Sequence, residues 1–271
     1  MRKRDGSRSA KRISGSLIYR IGKGTVRLAD GIVNLAVLVL FLALAGYGCY
    51  AIWDSRQIYS GADAALYETY KPQSTDTESF EELQKINPEV IGWLTVYGSS
   101  IDYPLVQSDD NQKYVNVNAK GEYALSGSLF LDYRNKADFS DFCNIIYGHH
   151  MEKKSMFGEV EEFKEQDFFD SHRYGFLYSD GKERGLEFFA FLEDDAYSDV
   201  IYNPELEDPE AKEEFLSYIK EHAVCIADLL VASEDHVVLL STCTPEGTNG
   251  RYILVGRMLE EVPENPFRDQ E

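Results

Sequence analysis

The sequence predicts a mostly β fold, a closed or nearly closed barrel of eight short strands, with one membrane-spanning helix in front of it. Three observations support this prediction. Eight short apolar runs are separated by turn residues, helical segments precede and interrupt them, and an apolar run near the N-terminus is about twenty residues long. At 271 residues with 44% hydrophobic content, the chain can bury one sizeable core.

The N-terminal segment is basic and is followed by the long apolar run. Residues 1–30 carry nine Lys or Arg and two Asp, and we expect them to form a cytoplasmic tail. Residues 31–53 are predicted to be a transmembrane anchor. An A-x-A triplet at residues 43–45 leaves a cleaved signal peptide as the alternative, although signal peptides have apolar cores of only about 7–15 residues. We therefore expect a single-pass protein of the cell membrane, with its N-terminus in the cytoplasm and the rest of the chain outside.

Residues 54–86 predict a helical stalk and a second helix. The helical character of residues 54–71 indicates that the stalk continues from the anchor. Thr75 and Glu78 could form a capping box at the start of the second helix. Three apolar side chains at three-residue spacing predict its buried face: Phe80, Leu83 and Ile86.

Residues 87–262 are predicted to form the barrel domain, and residues 263–271 a C-terminal tail. The eight predicted strands span residues 90–96, 101–106, 128–132, 143–147, 175–178, 186–192, 237–242 and 251–259. Helices are predicted over residues 156–169 and 209–222, and the second of them precedes the last two strands.

Charge and cysteine content narrow the function. Residues 31–271 hold 18 Lys and Arg against 45 Asp and Glu, a net charge of −27, which makes nucleic acid an unsuitable partner. The acidic surface could steer basic substrates or keep the domain soluble.

The four cysteines, at positions 49, 143, 225 and 243, are irregularly spaced, and we expect no disulfide. No D-x-D-x-D-G loop is present, and we expect no metal and no cofactor.

A thiol and a guanidinium mark the C-terminal hairpin. Cys243 ends one predicted strand and Arg251 opens the next, so both lie at the same end of the sheet. This pairing suits acyl transfer, in which the sulfur attacks a carbonyl and the cation stabilises the resulting oxyanion. His149 and His150, just after another predicted strand, could supply the proton-transfer partner. A buried structural cysteine is the competing interpretation of any one Cys.

These motifs resemble those of the sortase transpeptidases. The stretch L-S-T-C, the Arg that opens the next strand and the upstream Y-G-H-H-M are all similar to the family's pattern. The segment at residues 87–115, the G-S-L-F-L-D-Y-R-N at residues 127–135 and the motif at residues 147–157 look like class B sortases. The resemblance implies a sortase-type closed eight-stranded barrel with a helix inserted before the last two strands.

The resemblance also implies residue roles. Cys243 matches the nucleophile, Arg251 the oxyanion-stabilising Arg, and His149, directly after Tyr-Gly, the acid and base. His150 would then be a solvated neighbour. The resemblance also implies roles in peptide binding. Seven residues match positions that line the peptide groove in class B relatives, flank the nucleophile or lie in the loop before the inserted helix: Asn111, Val115, Tyr147, Ile201, Tyr202, Ser241 and Thr244. Thr244 departs from the family, in which a Glu often follows the nucleophile.

Other candidates for these roles are weaker. The remaining histidines lie in no comparable motif and are expected at the surface: His172, His222 and His236. Arg257 shares a strand face with Arg251 by β alternation, so the pattern alone does not separate the two. Position favours Arg251, because it is nearer to the Cys end of the hairpin.

The implied function is a membrane-anchored cysteine transpeptidase. It would cleave the C-terminal sorting signal of surface proteins after Thr, form a thioacyl link to Cys243, and transfer the acyl group to an amine of a peptidoglycan precursor. The expected partners are those proteins and that precursor, and we expect a monomer. Two alternatives remain: a pilin-polymerising sortase that uses a Lys acceptor, and a catalytically silent, membrane-tethered binding module.

Overall fold

The computed structural model describes residues 6–72, 77–245 and 248–268, and it divides into the units Met1–Arg56 and Gln57–Glu271. Helix α1 spans Gly6–Gly61 and so forms the described part of the first unit and the beginning of the second. Its part Arg27–Gly61 contains an 18-residue window that has a mean hydropathy of 2.4 and no buried residues. By length and composition, this helix could cross a membrane.

The stalk helix is shorter than predicted. Helix α1 ends at Gly61, and residues 64–70 form two 3₁₀ turns instead of continuing to Lys71. Helix α2 spans Glu78–Ile86 with Thr77 at its N-cap, whereas the predicted capping residue Thr75 lies outside the described residues. Phe80 and Leu83 are buried, but Ile86 is 51% exposed. Three-residue spacing falls short of a 3.6-residue turn, so the third side chain rotates off the buried face.

The second unit contains the predicted closed barrel. The strands are β1 (Val90–Val96), β2 (Asp102–Val106), β3 (Leu129–Leu131), β4 (Cys143–Tyr147), β5 (Tyr174–Ser179), β6 (Lys182–Asp195), β7 (Ala223–Ile226), β8 (Val237–Cys243) and β9 (Gly250–Leu259). Eight of them pair in the order β5-β1-β2-β3-β4-β8-β9-β6, and β6 pairs back to β5, which confirms an eight-stranded closed barrel. The additional strand β7, which the sequence did not predict, pairs with β6.

Strand β6 closes the barrel because it is long enough to have several partners. Its residues 182–187 pair with β5, its residues 185–195 pair with β9, and a register shift lies between Phe188 and Ala190. Closure leaves these eight strands without a free sheet edge.

Strand β8 is buried on both faces. In β8, Val238 and Leu240 belong to the main core, whereas Val237 and Leu239 belong to a second cluster that includes side chains of helix α4 (Pro209–His222). This two-sided burial explains why β8 is a continuous apolar run rather than an alternating one.

The two predicted helices within the barrel domain have different outcomes. Helix α4 spans Pro209–His222 as predicted, with Asp208 as its N-cap, and lies after β6 and before β7. The predicted helix over residues 156–169 is wrong. Residues 152–154 and 158–164 form 3₁₀ turns, and only α3 (Gln166–Ser171) is α-helical. Met156 has φ 53°, a left-handed conformation that breaks a right-handed helix.

Candidate active site

Strands β4 and β8 run parallel. Cys243 is the last residue of β8, and His149 lies two residues beyond the end of β4. Tyr147 is paired with Ser241, the Gly148 N–H donates to the Ser241 carbonyl at 3.2 Å, and Thr242 Oγ1 donates to the Gly148 carbonyl at 2.8 Å. His149 and Cys243 follow directly. These backbone contacts therefore bring two distant parts of the sequence to the same end of the barrel.

The antiparallel pairing of β8 with β9 adds the cation. Cys243 is the strand partner of Arg251. Cys243, His149 and Arg251 all line one cavity of about 440 Å³, and Cys243 is exposed. The cavity therefore gives a ligand access to a thiol, an imidazole and a guanidinium together.

His149 is held in a defined orientation. Its Nε2 lies 2.8 Å from the backbone carbonyl oxygen of Val115. A carbonyl oxygen only accepts hydrogen bonds, so Nε2 carries a proton and donates it. Nδ1 is then the ring nitrogen left for proton exchange with a ligand in the cavity.

The other histidines make contacts away from this cavity. His150 Nε2 lies 3.1 Å from a Glu161 carboxylate oxygen and its side chain is 17% exposed, so it is not the solvated neighbour that we expected. His172 is half-buried between Phe168 and Phe267, with ring centroids 3.8 and 4.8 Å away. The remaining two, His222 and His236, are exposed as expected.

The structure separates the two arginines of β9. Arg251 lines the cavity, and its Nη1 donates to the Gly250 carbonyl at 2.9 Å. Arg257 instead pairs with Glu187 at 2.8 Å and donates to the Leu230 carbonyl at 3.1 Å. Arg257 is therefore tied to neighbouring elements, whereas Arg251 is available to a ligand.

Five of the seven predicted groove residues line the cavity: Asn111, Val115, Tyr147, Tyr202 and Ser241. Ile201 does not. It is fully buried in the cluster that contains α4, because the loop before that helix inserts it into the core. Thr244 also lies outside the lining, and its N–H donates to the Gly250 carbonyl at 3.0 Å. Roles for all seven residues in peptide binding remain predictions.

Tyr202 connects the loop before α4 to the neighbouring strands β4 and β8 in the cavity wall. The rings of Tyr147 and Tyr202 stack with centroids 6.2 Å apart. The Tyr202 hydroxyl lies 2.8 Å from Ser241 Oγ, two residues before Cys243. Burial raises the pKa of Tyr202 to about 12 even though the Ser241 hydrogen bond lowers it, so this phenol is neutral at physiological pH.

The sequence did not single out three residues at this site: Phe130, Asp132 and Arg134. Phe130 and Arg134 line the cavity, and the Asp132 side chain behind them has no exposed area. Arg134 Nε and Nη2 each donate to the Asp132 carboxylate at 2.9 Å. The L-D-Y-R motif contained a signal, since an Asp in a turn can accept from the backbone N–H two residues on, as Asp132 does from Arg134 at 3.0 Å. Among the residues that the structure describes, no three His, Cys, Asp or Glu side chains group to hold a metal ion.

Comparison with known proteins identifies the family, although no family model matches the chain. Sortase B of Listeria monocytogenes is 35% identical over 211 residues, which cover 76% of this chain and 82% of that protein.

Two solved structures are also similar. Sortase B from the type II pilus of Streptococcus pneumoniae is 44% identical, with a TM-score of 0.60 over 67% of this chain and 99% of that one. A class B sortase of Streptococcus pyogenes involved in pilus biogenesis is 40% identical, with a TM-score of 0.61 over 66% of this chain and 97% of that one. Identity of this extent, together with the shared barrel, shows that the chain belongs to the class B sortases and is a cysteine transpeptidase.

Proposed function

We propose that Cys243, His149 and Arg251 cleave the C-terminal sorting signal of a surface protein after its Thr and transfer the resulting acyl group to an amine. One observation carries this proposal: the three side chains line the same cavity, and the thiol among them is exposed. Tyrosine, serine and asparagine side chains line the cavity beside them, and the Arg134 charge there is balanced by Asp132, which suits an uncharged peptide segment.

In the first half-reaction, the Cys243 thiolate attacks the carbonyl carbon of the substrate Thr. The carbonyl oxygen becomes an oxyanion, to which the Arg251 guanidinium donates hydrogen bonds. The C–N bond then breaks, and protonated His149 gives its proton to the departing amine. The product is a thioester on Cys243 and a free amine.

In the second half-reaction, an acceptor amine attacks the thioester. His149 takes a proton from the attacking nitrogen, a new amide bond forms, and the C–S bond breaks to regenerate the thiolate. Because Val115 holds Nε2, we assign both proton transfers to Nδ1 of His149. The acceptor that we propose is an amine of a peptidoglycan precursor.

A second candidate acceptor is the Lys side chain of a pilin. It is supported by the similarity of the chain to two sortases associated with pili, at 44% and 40% identity. Both acceptors are primary amines and use the same thioester. The two functions therefore differ only after acylation of Cys243.

Acylation and acceptor choice can be tested by mass spectrometry. Full-length protein in detergent is mixed with a peptide library that has a fixed Thr, and then with a wall-peptide amine or a Lys-containing pilin peptide. We expect a mass increase on Cys243, its loss on amine addition, and neither event in Cys243→Ala. Failure to acylate with any library member would reject transpeptidation and favour the silent binding module. Preferential transfer to the pilin peptide would identify a pilin Lys, and not the wall-peptide amine, as the acceptor.

We also propose a single-pass topology with the N-terminus in the cytoplasm. The basic residues 1–30 and the apolar part Arg27–Gly61 of helix α1 support it. Protease added to intact, wall-stripped cells should digest the chain beyond about Trp53 and spare the N-terminal segment. A mature protein that begins near Gly46 would instead indicate a cleaved signal peptide.

A further inference from the structure

Asp132 is a fully buried carboxylate with five hydrogen bonds. Oδ1 accepts from the Arg134 N–H at 3.0 Å and from Arg134 Nε at 2.9 Å. Oδ2 accepts from Arg134 Nη2 at 2.9 Å, from Asn111 Nδ2 at 3.0 Å and from the Tyr147 hydroxyl at 3.0 Å. Every partner is a donor, so the group is bound as the anion. We call Asp132 and these three partners the Asp132 cluster.

All three partners of Asp132 line the cavity, and they come from different parts of the chain. Asn111 lies in the loop after β2, Arg134 in the loop after β3, and Tyr147 at the end of β4. Arg134 Nη2 also donates to the Tyr202 carbonyl at 3.2 Å and so extends the cluster to the loop before α4. One carboxylate therefore joins four segments of the cavity wall.

The proposed reacting groups are held by other contacts. His149 is fixed by the Val115 carbonyl, and Arg251 donates to the Gly250 carbonyl. Cys243 is positioned by the pairing of β8 with β9. None of these contacts involves Asp132. The wall of the cavity and its reacting groups thus depend on two separate sets of interactions.

We propose that Asp132 is a positioning residue for peptide recognition: it fixes the wall formed by Asn111, Arg134 and Tyr147 in the shape that binds the sorting signal. This inference rests on the proposed function, because the occupant of the cavity is taken to be that peptide. The Asp132–Arg134 pair has no net charge, so the wall presents neutral hydrogen-bonding groups rather than a free cation.

Asp132→Asn is the sharpest test because it keeps the size of the side chain. Its amide oxygen still accepts hydrogen bonds, but its NH₂ group is a donor that faces the donors of Asn111, Arg134 and Tyr147. The half-buried Arg134 charge also loses its counterion. We expect the displaced wall to lose one hydrogen bond to the bound peptide, which corresponds to about a tenfold change in binding, so KM for the best peptide of the fixed-Thr library should rise about tenfold. We expect kcat to stay within about threefold, since the reacting groups keep their contacts.

Asp141→Asn is the matched control. Asp141 is also a bonded carboxylate, accepting from Asn135 Nδ2 at 3.2 Å and from Lys136 N at 2.7 Å, and pairing with Lys136 Nζ at 3.1 Å. It does not line the catalytic cavity. We expect this variant to keep the wild-type KM. In the absence of peptide, iodoacetamide should alkylate Cys243 at the same rate in both variants and in the wild type.

The outcomes separate this inference from the proposed function. If no peptide of the library acylates the wild-type protein, the proposed function itself is rejected. If the wild type is active and KM is unchanged in Asp132→Asn, only the positioning role is rejected. A fall in kcat with an unchanged KM in Asp132→Asn also overturns the positioning role of Asp132. Equal changes of KM in Asp132→Asn and Asp141→Asn do the same. If Asp132→Asn does not fold, Arg134→Lys replaces it, and the same rise in KM is expected because a point charge lacks the two-pronged contact.

Discussion

Gly127 lies where an added methyl group would disturb the support of His149. Its φ is +58°, and a Cβ at this position would lie 2.5 Å from the Tyr114 carbonyl oxygen and 2.7 Å from that of Val115. The Val115 oxygen is the acceptor for His149 Nε2 at 2.8 Å. We therefore predict that Gly127→Ala impairs catalysis through the histidine, although residue 127 does not line the cavity.

The size of the effect has two parts. A left-handed backbone costs an L-residue about 1–2 kcal/mol, which should appear as lower stability. In addition, to reach a separation of 3.0 Å, the Tyr114 and Val115 oxygens must move by 0.5 and 0.3 Å, and both are backbone atoms that cannot rotate away. A misplacement of 1 Å can lower turnover about 100-fold, so the shift of the Val115 oxygen that holds His149 should lower kcat by about 4-fold.

Gly121→Ala provides the control for this prediction. Gly121 has φ +84° and nothing within 4 Å of an added Cβ, so the substitution introduces the backbone strain without the contact. Thermal unfolding should show a loss of stability in both variants, larger in Gly127→Ala because of its added steric overlap, and steady-state transpeptidation should show a loss of kcat only in Gly127→Ala. Equal kcat in the two variants would refute the link between Gly127 and His149.

Three further predictions follow from the site. Cys243→Ala should leave the unfolding temperature nearly unchanged and abolish acylation, whereas Cys225→Ala should still acylate; a second essential cysteine would point to redox chemistry. Arg251→Ala should lower kcat by about 100- to 1000-fold, as loss of an oxyanion donor does, with Lys a poor replacement. Arg257→Ala should mainly lower stability, and equal kcat losses at both positions would remove Arg251 from the mechanism. Burial would raise the pKa of Asp132, but hydrogen bonds from its partners hold it below the usual value. The stability that it adds is thus complete above about pH 4 and is lost as pH falls through its folded-state pKa, so acid unfolding of the wild type and Asp132→Asn should converge at low pH.

The sequence was sufficient to predict the barrel and the convergence of Cys243, His149 and Arg251, because those elements are marked by apolar runs and by motifs at the strand ends. It was not sufficient for β7. This strand has four residues, follows α4 without a turn residue, and is defined by its pairing with β6. The apolar residues after Met156 resemble a helix, but the left-handed conformations of Lys153, Lys154 and Met156 depend on tertiary contacts.

The positions of side chains in the cavity wall were also not predictable from the sequence alone. Ile201 and Tyr202 are adjacent and both apolar enough for either environment, yet the first is buried in the core and the second lines the cavity. Asp132 could be read as a surface charge, since its three partners are spread from position 111 to position 147. Only the assembled barrel shows that they converge.

The parallel pairing of β4 with β8 also bears on when the reactive groups meet as the chain folds. Cys243 and Arg251 lie on a local hairpin, whereas the contact between Thr242 and Gly148 spans 94 positions. Distant pairings form slowly because a long loop must close first, so we expect the hairpin to form before β4 pairs with β8. On this expectation His149 joins Cys243 and Arg251 last, and the three groups form a complete set only when β4 and β8 have paired.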